Sequence, residues 1–385
     1  MKPREFHIWD FPENIRIKLP RDIHIKFFKD CINVFGSVRN YERHLNVNYG
    51  TAREWKNKFL FIPLWAIKNT IRYIEWNWNF IEKSIISYKG INTSSPVDNP
   101  ILSVKESPEL LELIAHLLSD GCISKGTPFY TNSSARLIEN FGSLLKKCFG
   151  TVNEKVYRLN TGDYYCTTSK VVYEFINHFY HVKFGSLRGC LPKEIFTLPE
   201  NFSYSVIKAL VDDEGFIREN RITVSMKNRK IISQLRTLLA RHFDISYLTA
   251  VMPRDDCWYI AIKSSGLEEF HEKIELVHPT KVADLIFAIE KSKLRSIVQK
   301  NPQGETKLML LNILKDGNHT VKELSQKVFI NSANVNNHLK ELKAVGLVME
   351  DGHLNTKGKP SVWALMKDKC LNEKNMEVNF NGTYL

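Results

Sequence analysis

Two stretches of the chain follow the apolar periodicity of a buried helix and then stop at an acidic residue followed by glycine. In SPELLELIAHLLSDGCI, leucine and isoleucine recur at three- and four-residue spacing, and Ser107 and Pro108 offer an N-cap and a first-turn proline. In IKALVDDEGFI the apolar run ends at Glu214 and Gly215. The pattern therefore predicts two buried helices that end at Asp120 and Glu214.

These two helices begin the two copies of an internal repeat. Asp120 and Glu214 lie 94 residues apart (214 minus 120), and repeats with a fixed period indicate a duplicated unit. The same offset relates several further pairs of similar residues: Leu144 and Leu145 with Leu238 and Leu239, Lys147 with Arg241, Phe149 with Phe243, and Tyr164 and Tyr165 with Trp258 and Tyr259.

Each copy predicts the same order of elements. A strand pair follows the buried helix, then comes an amphipathic helix (134–149 or 230–243), a second strand pair, and a last helix (171–179 or 267–274). Alternation in RITVSMK and YYCTTSK leaves one face apolar and the other polar, as a half-buried antiparallel sheet requires. The fold class is therefore α+β, with the order αββαββα occurring twice.

Small helical segments flank the repeats. Residues 37–59 predict a helix, a turn and a second helix, with Arg53 and Lys56 facing outward as candidate DNA contacts. Residues 305–366 predict three helices and a hairpin, and Asn334, Asn337 and Lys340 lie on the polar side of the third helix. This order resembles winged-helix regulators, and a dimerisation module of the same shape is the alternative. The predicted domains are residues 1–100, 101–296 and 297–385.

Composition narrows the class of partner. The 385 residues include 54 Lys and Arg against 42 Asp and Glu, and the formal charge of +12 favours a polyanion such as nucleic acid, with a solvated basic surface as the alternative. The seven cysteines form no CxxC pair, which indicates reduced thiols and a cytoplasmic protein. No apolar run approaches the roughly 20 residues that span a bilayer, so no membrane partner is expected.

The acidic helix ends are electrostatically unexpected, because a helix C-terminus carries partial negative charge and disfavours anions. For a single acid–glycine end, a simple C-cap with glycine in the left-handed conformation is the alternative. Two such ends at equivalent positions of a repeat favour a functional role over a simple C-cap. IKALVDDEG and LIAHLLSDG both resemble the nine-residue motif of the LAGLIDADG homing endonucleases, over roughly residues 105–295.

The resemblance implies a duplicated αββαββα fold whose antiparallel sheets form a saddle for DNA. It implies that the two motif helices pack through small residues, here Ala115, Ser119, Ala209 and Asp213. It also implies that Asp120 and Glu214, with Gly121 and Gly215 beside them, hold a divalent metal, Mg²⁺, which suits hard oxygen ligands. The basic residues that would assist catalysis are Lys183 and Lys281, with Arg188 and Lys193 as neighbouring alternatives.

The first motif departs from the family pattern at two positions. Leu118 stands where the motif has its first aspartate, a position that is not the metal ligand. His116 stands where the motif has leucine, so it is expected either to disturb the helix interface or to face outward.

The resulting interpretation is a monomeric, metal-dependent endonuclease that cleaves double-stranded DNA, with no small-molecule substrate and a cytoplasmic, nucleoid-associated location. Arg221, Lys227 and Lys263 are the expected base contacts of the sheets, because a sheet can enter the major groove and Lys and Arg can read base edges there. The alternative is a catalytically silent regulator of transcription that keeps the fold for DNA binding alone.

Overall fold

A computed structural model describes residues 2–90, 95–185, 187–218, 220–298, 305–351 and 362–366. The chain divides into two compact units, Met1–Leu285 and Ile286–Leu385. Within the described residues, none of the helices combines the length and apolar character needed to cross a membrane. The six described cysteines are free thiols, and Cys370 lies outside the described residues.

The first unit begins with a series of helices and short strands. Its N-terminal elements are β1 (Glu5–His7), β2 (Arg16–Lys18), α1 (Arg21–Phe35), α2 (Val38–His44), α3 (Thr51–Lys58), β3 (Ile62–Pro63), α4 (Leu64–Ile71), α5 (Trp78–Ser84), β4 (Ser87–Lys89), β5 (Val97–Asp98) and β6 (Ser103–Lys105). The predicted helix pair of residues 37–59 is present as α2 and α3. The buried Glu42 of α2 accepts hydrogen bonds from the backbone N–H groups of Ala52 and Arg53 at 3.0 and 3.2 Å, which caps the start of α3.

Two copies of one αββαββα arrangement follow, so the predicted duplicated α+β fold is confirmed. The first copy consists of α6 (Pro108–Leu118), β7 (Gly121–Ser124), β8 (Thr127–Asn132), α7 (Ala135–Phe149), β9 (Thr151–Val152), β10 (Lys155–Arg158), β11 (Tyr164–Thr167) and α8 (Lys170–Tyr180). The second consists of α9 (Glu200–Glu214), β12 (Gly215–Arg218), β13 (Arg221–Met226), α10 (Arg229–His242), β14 (Met252–Arg254), β15 (Cys257–Lys263) and α11 (Leu267–Lys273).

The strand order shows the duplication directly. The first antiparallel sheet runs β7-β8-β11-β10 and the second runs β12-β13-β15-β14, so the strands of each four-stranded sheet are arranged in the same order. The extra strand β9 joins a different sheet, of order β3-β2-β4-β5-β9, through the pairs Val97 with Val152 and Asp98 with Thr151. The predicted boundary at residue 100 therefore falls where the N-terminal segment and the first copy share a sheet.

The two motif helices, α6 and α9, pack against each other, which places their C-terminal ends together. Ala115 of α6 and Ala209 of α9 are fully buried, and the Ser119 hydroxyl just after α6 donates to the Asp213 carboxylate of α9. Small side chains let the two helix backbones approach closely. At the start of α6, the Ser107 hydroxyl accepts from the Leu110 N–H at 3.2 Å, as the sequence predicts for an N-cap.

Substitution of Ala209 by leucine tests this packing. Extra methylene groups in a closely packed interface force shifts, so Ala209→Leu is expected to lower the free energy of unfolding by roughly 1–3 kcal/mol. Urea denaturation measures the change. Ala283→Leu, at an exposed position of a neighbouring helix, is the matched control, and equal effects of the two variants would contradict the assignment.

The chain then continues through α12 (Pro279–Val298) into the second unit. This unit contains α13 (Glu305–Lys315), β16 (His319–Thr320), α14 (Val321–Val328), α15 (Ser332–Ala344), β17 (Val348–Asp351) and β18 (Val362–Leu365). The three strands form an antiparallel sheet of order β16-β18-β17, and Leu310, Leu324, Leu339 and Trp363 belong to its buried core. The predicted three helices followed by a strand pair are therefore present, while residues 352–361 of the predicted hairpin lie outside the described residues.

Candidate active site and nucleic-acid interface

Asp120 and Glu214 lie at the junction of the two repeats, each directly before the first strand of its copy, which is an edge strand of its sheet. Each acid is followed by a glycine, and any larger residue at that position would clash with the preceding helix. A Cβ on Gly121 would lie 2.4 Å from the Leu117 Cα, and one on Gly215 would lie 2.4 Å from the Val211 carbonyl oxygen. Gly215 has an extended backbone (φ −80°, ψ 147°), so the left-handed C-cap is wrong for this position. The glycine is needed because strand and helix approach closely there.

The two carboxyl groups are partly buried and hold their protons unusually tightly. Burial raises the pKa of Asp120 to about 7, and the Asp213 charge acts in the same direction. Burial likewise raises the pKa of Glu214 to about 7, with further contributions from Asp120 and Asp213. Asp120 accepts one hydrogen bond, from the Asn132 side-chain amide at 2.8 Å. In the described part of the chain, no hydrogen bond to the Glu214 carboxylate is present.

The neighbouring acid Asp212 has a structural partner. Its fully buried carboxylate accepts from the backbone N–H groups of Val277 at 3.1 and 3.0 Å and of His278 at 3.0 Å, just before α12 begins. The Lys281 ammonium, in the first turn of α12, donates to the carbonyls of Val211, Asp212 and Asp213 at 3.0, 2.5 and 3.1 Å. Lys281 thus offsets the negative C-terminal end of α9.

Lys281 lies close to the acid pair, but its three N–H donors are already directed at these carbonyls. Burial lowers the pKa of Lys281, against the opposing effect of Asp213, Asp212, Asp120 and Glu214. The positive charge is therefore shared among four acids, and it does not form a direct ion pair with either Asp120 or Glu214 in the described structure. The negative charges of Asp120 and Glu214 are therefore only partly compensated by Lys281.

Asp213 holds the two repeats together through a network that the sequence did not predict. The His116 Nδ1 lies 2.9 Å from Asp213 Oδ2, and the Tyr130 hydroxyl donates to Oδ1 at 2.6 Å. Burial acts to lower the pKa of His116, but Asp213 outweighs it, with help from Glu112, and the pKa rises to about 10. His116 is therefore a buried imidazolium bound to the opposite motif helix. The expectation that it would disturb the interface or face outward is wrong.

The network extends along both motif helices. Glu112, one turn before His116 on α6, lies 3.8 Å from the His116 Nε2 and accepts from the Asn140 amide at 2.9 Å. Its second cation is Lys208 of α9, at 2.9 Å. Charges therefore alternate across the interface from Lys208 through Glu112 and His116 to Asp213. The clue in the sequence was a glutamate and a histidine four residues apart in the apolar stretch of this helix.

The other predicted basic residues lie away from this junction or on open surfaces. Lys183, Arg188 and Lys193 are exposed in the segment after α8, whereas Lys281 is the lysine whose charge acts on both acids. In the second unit, Asn334, Asn337 and Lys340 are exposed along one side of α15. In the N-terminal helix pair, Arg53 is exposed and its guanidinium lies 5.2 Å from the Tyr49 ring centroid, while Lys56 is half-buried.

The predicted contacts of the second sheet lie on or beside its outer face, the face directed away from α10. Arg221 and Lys263 are cross-strand partners, and Lys227 is exposed directly after β13. The Lys263 ammonium also donates to the Ser246 carbonyl at 2.9 Å. Sequence reasoning missed further residues that line a shallow recess on this face: Phe216, Arg218, Thr223, Ser225, Arg254, Asp255, Cys257 and Tyr259.

A metal is compatible with the donor set at the helix ends. Within the described residues there is no cluster of three or more His, Cys, Asp and Glu side chains arranged for a metal. Two carboxylates nevertheless suit Mg²⁺, which is usually held by one or two carboxylates together with water and substrate phosphates. Their raised pKa values are compatible with a metal, because a bound cation would offset both the burial and the repulsion between acids that favour the protonated forms.

Comparison with known proteins gives one family match and several distant similarities. The family described as bacterial regulatory protein, arsR family, matches residues 304–350. A curated relative, a subunit of the A-type ATP synthase of Methanopyrus kandleri, is 20% identical over 181 residues, which are 46% of this chain and 17% of the relative. The chain thus spans a small part of that protein's length.

Three solved structures are also similar at low levels. Full-length DUF199/WhiA from Thermatoga maritima has a TM-score of 0.36 and 11% identity, covering 62% of this chain and 92% of that one. The structure of I-DmoI in complex with DNA and Mn has a TM-score of 0.34 and 16% identity, covering 43% and 96%. The homing endonuclease I-WcaI bound to its DNA recognition sequence has a TM-score of 0.35 and 12% identity, covering 47% and 87%.

Proposed function

We propose that this protein binds double-stranded DNA and cleaves it as a metal-dependent endonuclease, acting as a monomer because one chain supplies both repeats. The observation that carries the proposal is the pair of partly buried carboxyl groups, Asp120 and Glu214, which the two packed motif helices bring to one junction. Buried acids with strongly shifted pKa values and no cationic partner of their own are typical of functional sites.

In this proposal Asp120 and Glu214 hold Mg²⁺. The metal, when bound, supplies a water nucleophile and stabilises charge on the phosphate during hydrolysis of the phosphodiester bond. The protein's own residues fix the site. Lys281 and Asp212 tie the end of α9 to the start of α12, and the His116–Asp213 pair fixes α6 against α9. These contacts hold the spacing of the two acids before DNA arrives, which is how preorganised sites gain rate.

Incubation of the full chain with a genomic or randomised duplex library in Mg²⁺, followed by sequencing of the cut ends, tests the proposal. Recurrent ends at one sequence support it. The metal dependence is checked by adding a chelator in a parallel reaction. Duplex DNA that is bound but never cut in Mg²⁺ or Mn²⁺ would overturn the enzymatic part.

DNA affinity is expected to fall steeply with salt. The formal charge is +12, and each phosphate contact made by Lys or Arg releases counterions. The slope of log affinity against log salt should be about −0.9 per phosphate contact, so six contacts would give a slope of about −5. Fluorescence anisotropy of a labelled duplex across a salt series gives the slope. A flat response would contradict a polyanionic partner.

A regulator of transcription is the second candidate, favoured by the second unit. Between residues 305 and 366, the described part of that unit has three helices followed by an antiparallel strand pair, and it exposes Asn334, Asn337 and Lys340 on α15. Residues 304–350 match the arsR family of bacterial regulatory proteins. Asparagine and lysine are residues that read adenine and guanine in the major groove. Tight, sequence-specific binding without cleavage in the library experiment would select this function.

A further inference from the structure

The outer faces of the two sheets are chemically different, although their strands are arranged in the same order. Pairing identifies the outer-face residues, because cross-strand partners point to the same side of a sheet and alternate residues point to opposite sides. In the first sheet Tyr130 stacks on Phe141 of α7, with ring centroids 4.7 Å apart. Phe129, the preceding residue, therefore lies on the outer face.

The outer face of the first sheet is aromatic and rich in threonine. Phe129 and Tyr165 have ring centroids 4.9 Å apart, and Tyr157, which is 51% exposed, lies opposite Tyr165. The registers place three threonines on the same face: Thr127, Thr131 and Thr167. Among the paired residues of this face, the one cationic side chain is Lys155 on the outer strand β10.

The outer face of the second sheet carries four cations. Arg218 pairs with Arg221 across β12 and β13, Arg221 also pairs with Lys263, and Arg254 pairs with Cys257. The 94-residue offset makes the comparison direct, because Ser124 and Thr127 form the equivalent pair in the first sheet. Two arginines in one copy therefore replace a serine and a threonine in the other. At a second equivalent position, Thr223 replaces Phe129.

These side chains match different features of the major groove. Arginine binds guanine through the O6 and N7 acceptors, whereas phenylalanine and the threonine methyl group make apolar contact with the C5-methyl group of thymine. We propose that the two repeats read chemically different half-sites, the first rich in thymine at the contacted positions and the second containing guanines contacted by Arg218 and Arg221. The inference rests on the proposed DNA binding and specifies the class of its target.

The site is then intrinsically asymmetric and fixes the orientation of the chain on DNA. A two-fold symmetric duplex would satisfy only one of the two faces. Asp120 and Glu214 directly precede β7 and β12, where the two packed motif helices end, so the two half-sites would flank the position of the acid pair.

The test is a binding selection with the full chain and a randomised duplex library in Ca²⁺, compared with variants that exchange residues between equivalent positions. One variant is Arg218→Ser with Arg221→Thr, and the other is Phe129→Thr. Each introduces the residues that the other copy already uses, and unchanged melting temperatures control for folding. The arginine variant should lose guanine preference by about tenfold in one half-site and leave the other unchanged. Phe129→Thr should relax thymine preference only in the other half-site.

Modified bases test the same contacts at the level of single groups. Uracil in place of thymine removes the methyl group, and it should weaken binding of the parent by several-fold in the first half-site. It should weaken binding of Phe129→Thr by less, because a threonine methyl group keeps only part of the apolar contact that the phenylalanine ring makes. In the second half-site, 7-deazaguanine removes N7 and should reproduce the arginine variant. Two half-sites of the same composition, or exchange variants with the parent's preferences, would overturn this inference while leaving DNA binding intact. Failure to retain any duplex would overturn the proposed function and this inference with it.

Discussion

Glu214→Gln and Asp120→Asn should each abolish cleavage in Mg²⁺ while making the metal-free protein more stable. Both variants remove a proposed metal ligand and keep the shape of the side chain. Because the ordinary pKa of glutamate is near 4.5 and that of Glu214 is about 7 in the folded protein, the folded state binds this proton more tightly than the unfolded chain. The stability of the metal-free parent therefore falls as the pH rises from about 4.5 to 7, and the full cost persists above that range.

Removing one charge relieves that cost. At pH 8 without metal, Glu214→Gln is expected to raise the free energy of unfolding by about 1–3 kcal/mol and to flatten its pH dependence below pH 7. DNA affinity in Ca²⁺ should stay close to that of the parent. Nicking assays and urea titrations at pH 5 and pH 8 measure both effects.

Glu139→Gln, which removes an exposed acid from α7, is the matched control and should change neither cleavage nor the pH profile. Cleavage that survives in either site variant would refute the catalytic assignment.

The second large effect is expected at Asp213, which anchors the buried charges between the repeats. Asp213→Asn keeps one acceptor oxygen, so it can accept from either Ser119 or Tyr130 but not from both, and it leaves the His116 imidazolium without its counter-ion. Removal of one partner of a buried pair typically costs about 3–5 kcal/mol, so Asp213→Asn should lower the free energy of unfolding by that amount. Tyr130→Phe, which removes one hydrogen bond to the same carboxylate, should cost about 1.5–3 kcal/mol.

The stability that His116 contributes also falls as the pH rises, but for a different reason: for His116 the charged form is the stabilised one, whereas for the acid pair it is the destabilised one. The pKa of His116 is raised from its ordinary value of 6.5 to about 10, so its stabilisation is complete below about pH 6.5 and is lost as the pH rises toward 10. His116→Leu should remove that decline. If Asp213→Asn costs no more than Tyr130→Phe in urea titrations, the charged pair does not hold the repeats together.

The helices of the site could be predicted from the sequence because the features that specify them lie within a few residues of one another. The apolar spacing of α6, its Ser107 cap and the acid–glycine ends all act within a few residues, and the 94-residue offset predicted that the same elements would recur. The same reasoning predicted α7, α8, α10 and α11 within a residue or two of their bounds. It did not predict that β5 would pair with β9, since two-residue strands carry almost no periodicity.

The roles of the three consecutive acids show what local pattern cannot supply. Asp212 binds backbone 65 residues away, and Asp213 binds a histidine 97 residues away. The Glu214 carboxylate has no hydrogen bond in the described structure, and the charge of Asp120 helps to raise its pKa. Sequence analysis placed Asp213 among the small residues of the helix interface. In the structure its carboxylate is the negative charge that stabilises the charged form of the buried His116.

The sequence by itself determined the duplicated order of elements and the acid at the end of each motif helix, because these follow from periodicity and repetition along the chain. The packing of the two motif helices against each other was only implied by the family resemblance. Only the tertiary structure decided which acids are structural and which remain available, that Lys281 caps α9, and that the two sheet faces differ in charge. Those properties depend on burial and on partners distant in sequence, because the surroundings of a carboxylate in a low-dielectric interior set its pKa and the strength of its interactions.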